Sequence, residues 1–304
     1  MHDVIVVGGG PAGMTAALYA LRNGKSALVI ERDGFGGQIT HSPKVENYPG
    51  TSSASGNEIA EAMFDQIMAQ GADIEVETVS EVSGEGAVKR VLTEEGTVHE
   101  GRTVVISTGV KHRMLGLPGE NELVGEGISF CAVCDGDFYA GQTVAVAGGG
   151  NSALQEAVLL ADKCREVIIL QDLPVLTGEK KLQEVLLAKP NVRAICNTRL
   201  TGFVTAGGEL AGVEYEDRET GAARRVDCNG LFVAIGLIPE NGPFAPLATL
   251  TDGGYFDSDE RCLTRTPGIF VAGDCRSKSV RQLTTAVADG ATAALAACRY
   301  INGL

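Results

Sequence analysis

The chain has 304 residues but no tryptophan, 5% aromatic residues and four histidines. It has no run of about 18 apolar residues, which excludes a transmembrane helix. Basic residues are in deficit: 25 Lys and Arg face 39 Asp and Glu, a formal charge of −14. That deficit argues against nucleic acid and membrane as partners, because both recruit cationic patches. His2, His41, His99 and His112 are isolated, and no histidine follows residue 112. A histidine base in the closing segment is therefore excluded, and paired histidine ligands for a metal are missing. Met1-His2-Asp3 leads straight into an apolar run and leaves no room for a signal peptide, so a cytoplasmic protein is expected. Six of the eight cysteines, at 164, 196, 228, 262, 275 and 298, stand singly in apolar or mixed surroundings. That is the pattern of reduced, buried thiols and not of a secreted disulfide framework.

Against these absences stand 40 glycines and 44% hydrophobic residues. The content supports large cores and, at this length, two domains. Residues 3–7 form a short apolar run typical of a buried parallel strand. Gly8-Gly9-Gly10-Pro11-Ala12-Gly13 follows, then a helix over 14–23 and a second strand over 26–30 that ends at Glu31. This is the dinucleotide fingerprint in order. Gly8 permits the tight turn, Gly10 lets backbone approach a pyrophosphate, and Gly13 packs helix on strand. Glu31 can accept from ribose hydroxyls, and the helix N-terminus offers N–H groups to phosphates. A helix is expected over 56–70, and an antiparallel meander from strands at 73–79, 86–93 and 96–100. Another buried strand, 103–107, ends in Thr108-Gly109, where glycine lets backbone come close to a ligand.

Residues 113–119 carry Pro and Gly without periodicity and read as a crossing into a second domain. Just beyond lies Cys131-Ala132-Val133-Cys134-Asp135. Two cysteines three apart can close a small disulfide ring, and the adjacent acid can protonate a leaving thiolate. A Cys-x-x-Cys is also half of a zinc site, but no second Cys or His pair stands at ligand spacing, so no metal is expected. The fingerprint then repeats: strand 143–147, loop Gly148-Gly149-Gly150-Asn151-Ser152-Ala153, helix 153–163 and strand 166–170. After it comes Gln171-Asp172-Leu173-Pro174, where an NADPH site needs arginines for the 2′-phosphate. Asp172 would repel that phosphate and suit the ribose of NADH; equally, it reads as a solvated turn residue beside Pro174. Beyond this lie a helix over 180–189, a second meander over 192–229 and a buried strand over 231–236. A crossing at 239–246, a strand at 268–272 and a small-residue helix over 283–300 close the chain.

These residues together resemble the low-molecular-weight thioredoxin reductases of the flavoprotein disulfide reductase group. The resemblance rests on Gly8-x-Gly10-x-x-Gly13, Gly36-Gly37-Gln38, Glu46 to Gly50, Ser107-Thr108-Gly109, Leu115 to Glu120, Cys131-x-x-Cys134-Asp135-Gly136, Gly268 to Asp274 and Arg281-Gln282. It implies an α/β fold of two Rossmann-like three-layer dinucleotide-binding domains, the second inserted in the first. Residues 1–114 and 243–304 would bind FAD, and 115–242 would form an NAD(P)H-type domain with the cysteine pair. FAD would be held by Gly10, Pro11, Ala12, Glu31, Gln38, Asn47, Asp274, Arg281 and Gln282, with Gly37, Thr108, Gly109 and Gly273 in the same motifs. The resemblance makes Cys134 the thiol facing the flavin, Cys131 the attacker of the thioredoxin disulfide and Asp135 the proton donor. It also implies a homodimer and a swinging inserted domain.

One departure bears on the electron donor. The family's NADPH motif, His-Arg-Arg-x-x-x-Arg, is replaced at all four specified positions, Gln171, Asp172, Leu173 and Thr177. Charge-assisted bonds are worth roughly 1.5–3 kcal/mol each, so NADPH is disfavoured. Gly148, Gly150, Asn151 and Ser152 keep NADH open, and reduced ferredoxin or another low-potential donor protein is a further expectation. The expected activity is reduction of a thioredoxin-like disulfide with such a donor. Two alternatives stand beside it: an FAD-dependent oxidase of small dithiols that uses oxygen, and an ordinary NAD(P)H-dependent thioredoxin reductase.

Overall fold

Strand His2–Val7 alternates its side chains between two cores: Val4 and Val6 on one face, Ile5 and Val7 on the other. Its neighbours Ala27–Glu31 and Val98–Ile106 divide in the same way, so the sheet is buried on both faces, as parallel strands usually are. The computed structural model describes residues 1–42, 44–84 and 86–303. They divide into two compact units, Met1–Lys111 with Ile238–Leu304, and His112–Leu237. Both crossings come slightly before the expected 114/115 and 242/243, at the short strands Lys111–His112 and Leu237–Ile238.

The first unit carries a seven-stranded sheet. Its parallel part runs Asp73–Val76, Ala27–Glu31, His2–Val7, Val98–Ile106. Two elements depart from the sequence expectation. Asp73–Val76 is not part of a meander; it pairs parallel with Ala27–Glu31. The expected strands 96–100 and 103–107 are one strand, Val98–Ile106. Its first half pairs antiparallel with Lys89–Thr93, and its second half pairs parallel with Ile269–Val271. A strand that changes partners halfway carries two local patterns, and these read as two strands. The helices Pro11–Arg22 and Leu283–Asn302 pack on one face through alanine and glycine. At Gly290 a Cβ would lie 2.1 Å from Ala12 O.

The second unit has three layers. A parallel sheet, ordered Val192–Ile195, Glu166–Leu170, Thr143–Ala147, Gly230–Val233, Ile128–Ser129, lies between helices and an antiparallel three-stranded sheet. Val144, Val146, Val167 and Ile169 face the helix Asn151–Ala161. Ala145, Ala147, Ile168 and Leu170 face the sheet of Thr198–Ala206, Glu209–Asp217 and Ala223–Asp227. The expected second meander loses its first strand, because Val192–Ile195 pairs parallel with Glu166–Leu170. Asn197, at φ 58°, turns the chain out of that sheet, a conformation asparagine tolerates. Among the described residues, no helix is long and apolar enough to cross a membrane.

Candidate active site

The redox pair sits at the end of the parallel sheet. Strand Ile128–Ser129 delivers Phe130 and Cys131, and Cys131 caps the single helical turn Ala132–Asp135. Asp135 N donates to Cys131 O at 2.9 Å, closing the turn. Cys131 and Cys134 are joined as a disulfide, and Cys134 N donates to Cys131 Sγ at 3.2 Å. Ala132 is buried beneath the turn, while Val133 is exposed beside the sulfurs. One face of the ring is thus anchored and the other open.

Two carboxyl groups underlie the turn. Ser129 Oγ accepts from Cys131 N at 3.1 Å and donates to Asp135 Oδ2 at 2.5 Å. Asp135 Oδ1 is buried without a hydrogen-bond partner. Burial pushes the Asp135 carboxyl above the ordinary range, partly offset by the Ser129 hydrogen bond. The next amide, Ala132 N, donates to Glu156 Oε2 at 2.6 Å. Burial raises Glu156 to about 7; the Ala132 N–H opposes that rise, and the nearby Asp135 charge adds to it. Sequence reasoning passed over Ser129 and Glu156. Glu156 lies on the helix after the second glycine loop, where its spacing marks only an amphipathic helix.

In the first unit the glycine loop follows the expected logic. Gly8 has φ 104°, and a Cβ there would lie 2.5 Å from Ser107 O. At Gly13 a Cβ would lie 1.9 Å from Gly8 O, so helix and loop touch backbone to backbone. Gly10 opens onto free space and starts the Pro11–Arg22 helix without a side-chain cap. The helix N–H groups therefore remain for an anion. Glu31 is pinned to the loop: Oε2 accepts from Gly9 N at 2.6 Å and Oε1 from Asp33 N at 3.1 Å. Thr108, Gly37 and Gly273 reach this loop, and the other expected residues lie in the segments that follow them. Gly37 lies against Gly10, and Gly273 against Ala12. Gln38 stands in the 3₁₀ turn Gly37–His41. Asn47 donates to Gln282 at 3.2 Å, and Thr108 to Asn241 at 3.2 Å, with Gly109 beside it at φ 66°. Arg281 stacks on Tyr255, its guanidinium carbon 4.4 Å from the ring centroid, and donates to Asp274 O at 3.4 Å.

Asp274 Oδ1 is buried and has no partner. Burial raises the Asp274 carboxyl, against Lys278 and Arg281. An orphan carboxyl oxygen, an uncapped helix and an open glycine fit a ligand with hydroxyls and a pyrophosphate, such as FAD. Asp289, Arg276 and Asn241, all nearly sequestered from water, were not picked out from sequence. Asp289 accepts from Gly273 N at 3.0 Å, from Arg276 at 2.8 and 3.0 Å and from Lys278 at 2.9 Å, fixing the turn that carries Asp274.

The second glycine loop is also built for close approach. Gly148 has φ 120°, and the nearest atom to a Cβ on Gly150 would be Thr177 Oγ1 at 3.9 Å. The helix from Asn151 has no side-chain cap, and Asn151 Oδ1 accepts from Glu179 N at 2.7 Å; Ser152 is exposed in the first turn. Gln171 folds inward: Nε2 donates to Val175 O, and Oε1 accepts from Asp172 N. Thr177 N and Gly178 N both donate to Gly149 O, so the 171–178 segment closes on the loop. Asp172 stands exposed, and its carbonyl accepts from Arg218 at 3.0 Å. Arg218, 46 residues further along the chain, is a cation that the local motif does not contain.

A family model described as pyridine nucleotide-disulphide oxidoreductase matches residues 2–290. The thioredoxin reductase of Bacillus subtilis (strain 168) is 37% identical over 304 residues, covering 100% of this chain and 96% of that protein. The thioredoxin reductase of Treponema pallidum (strain Nichols) is 39% identical over 304 residues, covering 100% and 98%. Among solved structures, thioredoxin reductase from Streptococcus pyogenes MGAS5005 aligns with a TM-score of 0.94 at 36% identity, covering 100% of this chain and 99% of that one.

Proposed function

Since this chain belongs to the thioredoxin reductase family and is a flavin-dependent disulfide oxidoreductase, we propose that it reduces a thioredoxin disulfide through Cys131–Cys134 with electrons from a donor other than NADPH. NADH or a reduced ferredoxin is the donor class. The observation that carries the donor assignment is the segment closing on Gly149, whose inward side chain is Gln171 and whose charged side chain before Glu179 is Asp172. No basic residue stands between Arg165 and Lys180 to pair a 2′-phosphate.

FAD, when bound, supplies the two-electron chemistry between donor and disulfide. Gly10, the amides of the Pro11–Arg22 helix, Glu31 and Asp274 would hold it. On the protein side, Val133 leaves the sulfur ring open to a partner. Cys131 is the attacking sulfur toward the partner disulfide. Asp135, whose carboxyl burial pushes above the ordinary range, is the acid placed to supply the proton that a newly formed thiolate needs.

Anaerobic mixing of the purified flavoprotein with NADH, NADPH or reduced ferredoxin, followed by flavin absorbance, tests the donor. Rapid bleaching by NADH or ferredoxin, reversed by oxidised thioredoxin, is expected. Rapid bleaching by NADPH alone would overturn the donor assignment. Fast oxygen uptake with a small dithiol, thioredoxin being inert, would make the enzyme an oxidase instead. The Arg218 guanidinium beside Asp172 favours a second reading, in which it pairs the 2′-phosphate of NADPH. In that case Arg218→Ala loses reduction by NADPH and keeps reduction by NADH.

A further inference from the structure

Reduction of a disulfide to a dithiol takes up two protons, yet one acid, Asp135, was apparent beside the pair. The structure places a second carboxyl group on the same turn. Consecutive amides at its start, Cys131 N and Ala132 N, are each tied to a carboxyl group. The first is reached through the Ser129 hydroxyl to Asp135, the second directly at Glu156 Oε2. Glu156 comes from a different element, the Asn151–Ala161 helix, which packs against the turn. A carboxyl brought 24 residues along the chain to a single amide beside the reactive sulfurs is not explained by helix amphipathicity.

We propose that Glu156 is a positioning residue of the redox turn, forming with Asp135 a coupled carboxyl pair that holds one proton for the Cys131–Cys134 couple. Two half-buried carboxyl groups tied to consecutive amides of one turn do not both ionise freely, so their protons come off in steps belonging to the pair. The second proton leaves near neutrality, consistent with Glu156 raised to about 7 by burial and by the Asp135 charge. Three other charged groups around this helix are engaged elsewhere. Lys163 pairs with Asp137, Asp162 with Lys189 and Glu166 with Arg193. The Lys180–Leu187 helix, packed on the same helix, contributes Lys180, Lys181 and Glu184. Tyr139, behind the turn, is raised to about 12 by burial and by the Asp135 charge, and stays neutral.

The S–S bond breaks, two electrons arrive from the enzyme's flavin chemistry, and two S–H bonds form. One proton comes from the carboxyl pair, which is left doubly ionised, and one from water. When the partner disulfide accepts the electrons, the Cys131–Cys134 bond re-forms and its two protons are released. One goes to the partner thiols through the turn, and one re-protonates the carboxyl pair; the partner's second proton comes from water.

This inference rests on the assignment of Cys131–Cys134 as the redox pair, and its alkylation profile needs no electron donor. The holoenzyme is reduced with excess dithiothreitol, freed of it, and alkylated with iodoacetamide across a pH series; whole-protein and peptide masses identify the labelled sulfurs. Glu156→Gln keeps an acceptor for Ala132 N but cannot ionise. The pH at which the pair becomes reactive should fall in this variant by about one unit, because a neighbouring negative charge is gone. Glu156→Ala, which also removes the charge, should shift it the same way, and this variant carries the test if Glu156→Gln does not fold. A profile unmoved in whichever variant folds overturns the proposal, since a purely structural Glu156 would change amplitude or melting temperature without moving the profile. Cys134→Ser separates the two levels. If it keeps disulfide reductase activity, the redox-pair assignment fails. If it is inactive while the Glu156→Gln profile is unmoved, the role of Glu156 alone is wrong.

Discussion

Asp135 is held where burial opposes its charge, one turn from the sulfur that needs a proton. Replacing it with asparagine should lower disulfide reduction by about 10²–10⁴-fold, the usual span for a general acid, and leave the flavin spectrum intact. Its folded pKa is raised, so wild-type activity should hold above the ordinary carboxylate range and fall as pH rises through the raised value; a pH–rate profile checks both. The Cys-x-x-Cys-Asp turn and the glycine fingerprints were legible in sequence because each is a contiguous segment whose spacing is its geometry. Ser129, Glu156, Asn241 and Asp289 were not. Ser129 meets partners only two and six residues on, but a lone serine before the pair forms no motif. The others meet partners from elsewhere in the fold: Glu156 meets an amide 24 residues away, and Asn241 meets Thr108 across 133. Arg218 escaped for the same reason.

Two elements hold the first glycine loop in place. Helix Leu283–Asn302 crosses helix Pro11–Arg22 so closely that Gly290→Ala drives a methyl group into the Ala12 carbonyl. Overpacking against backbone should destabilise by about 1–3 kcal/mol, read as a lower melting temperature and weaker flavin retention. The same helix carries Asp289. Asp289→Ala leaves Arg276 and Lys278 buried without their carboxylate, at a cost of about 3–5 kcal/mol in a denaturant titration. Burial opposes ionisation of Asp289, but hydrogen bonds from Arg276 and Lys278 prevail and hold its pKa low. Its stabilisation is therefore fully present above the unfolded carboxylate value, about 3.9, and lost as pH falls through the lower folded value. Acid unfolding of the alanine variant should lack that component. Strand identity was mostly readable from apolar runs, but strand partners were not. Asp73–Val76 and Val192–Ile195 carry no local mark of parallel pairing, which depends on where distant strands lie.

The two units differ in how the chain builds them. Residues 112–237 are contiguous and enclose two hydrophobic clusters, whereas the other unit needs both ends of the chain. Expressed alone, 112–237 should unfold cooperatively and remain colourless; residues 1–111 alone should not fold, because Ile269–Val271 and the closing helix would be missing. Circular dichroism melts of the two fragments check this. Both units share an arrangement of sulfur with a practical outcome. Cys164, Cys228, Cys262, Cys275 and Cys298 are buried, and burial pushes each thiol up. Cys196, half-buried and also raised, sets a slow background. Native alkylation therefore tags little but the pair, and only after it has been reduced. Each tagged molecule records one electron pair stored in sulfur, so intact mass alone provides a tally of electrons that is independent of any optical signal from a cofactor.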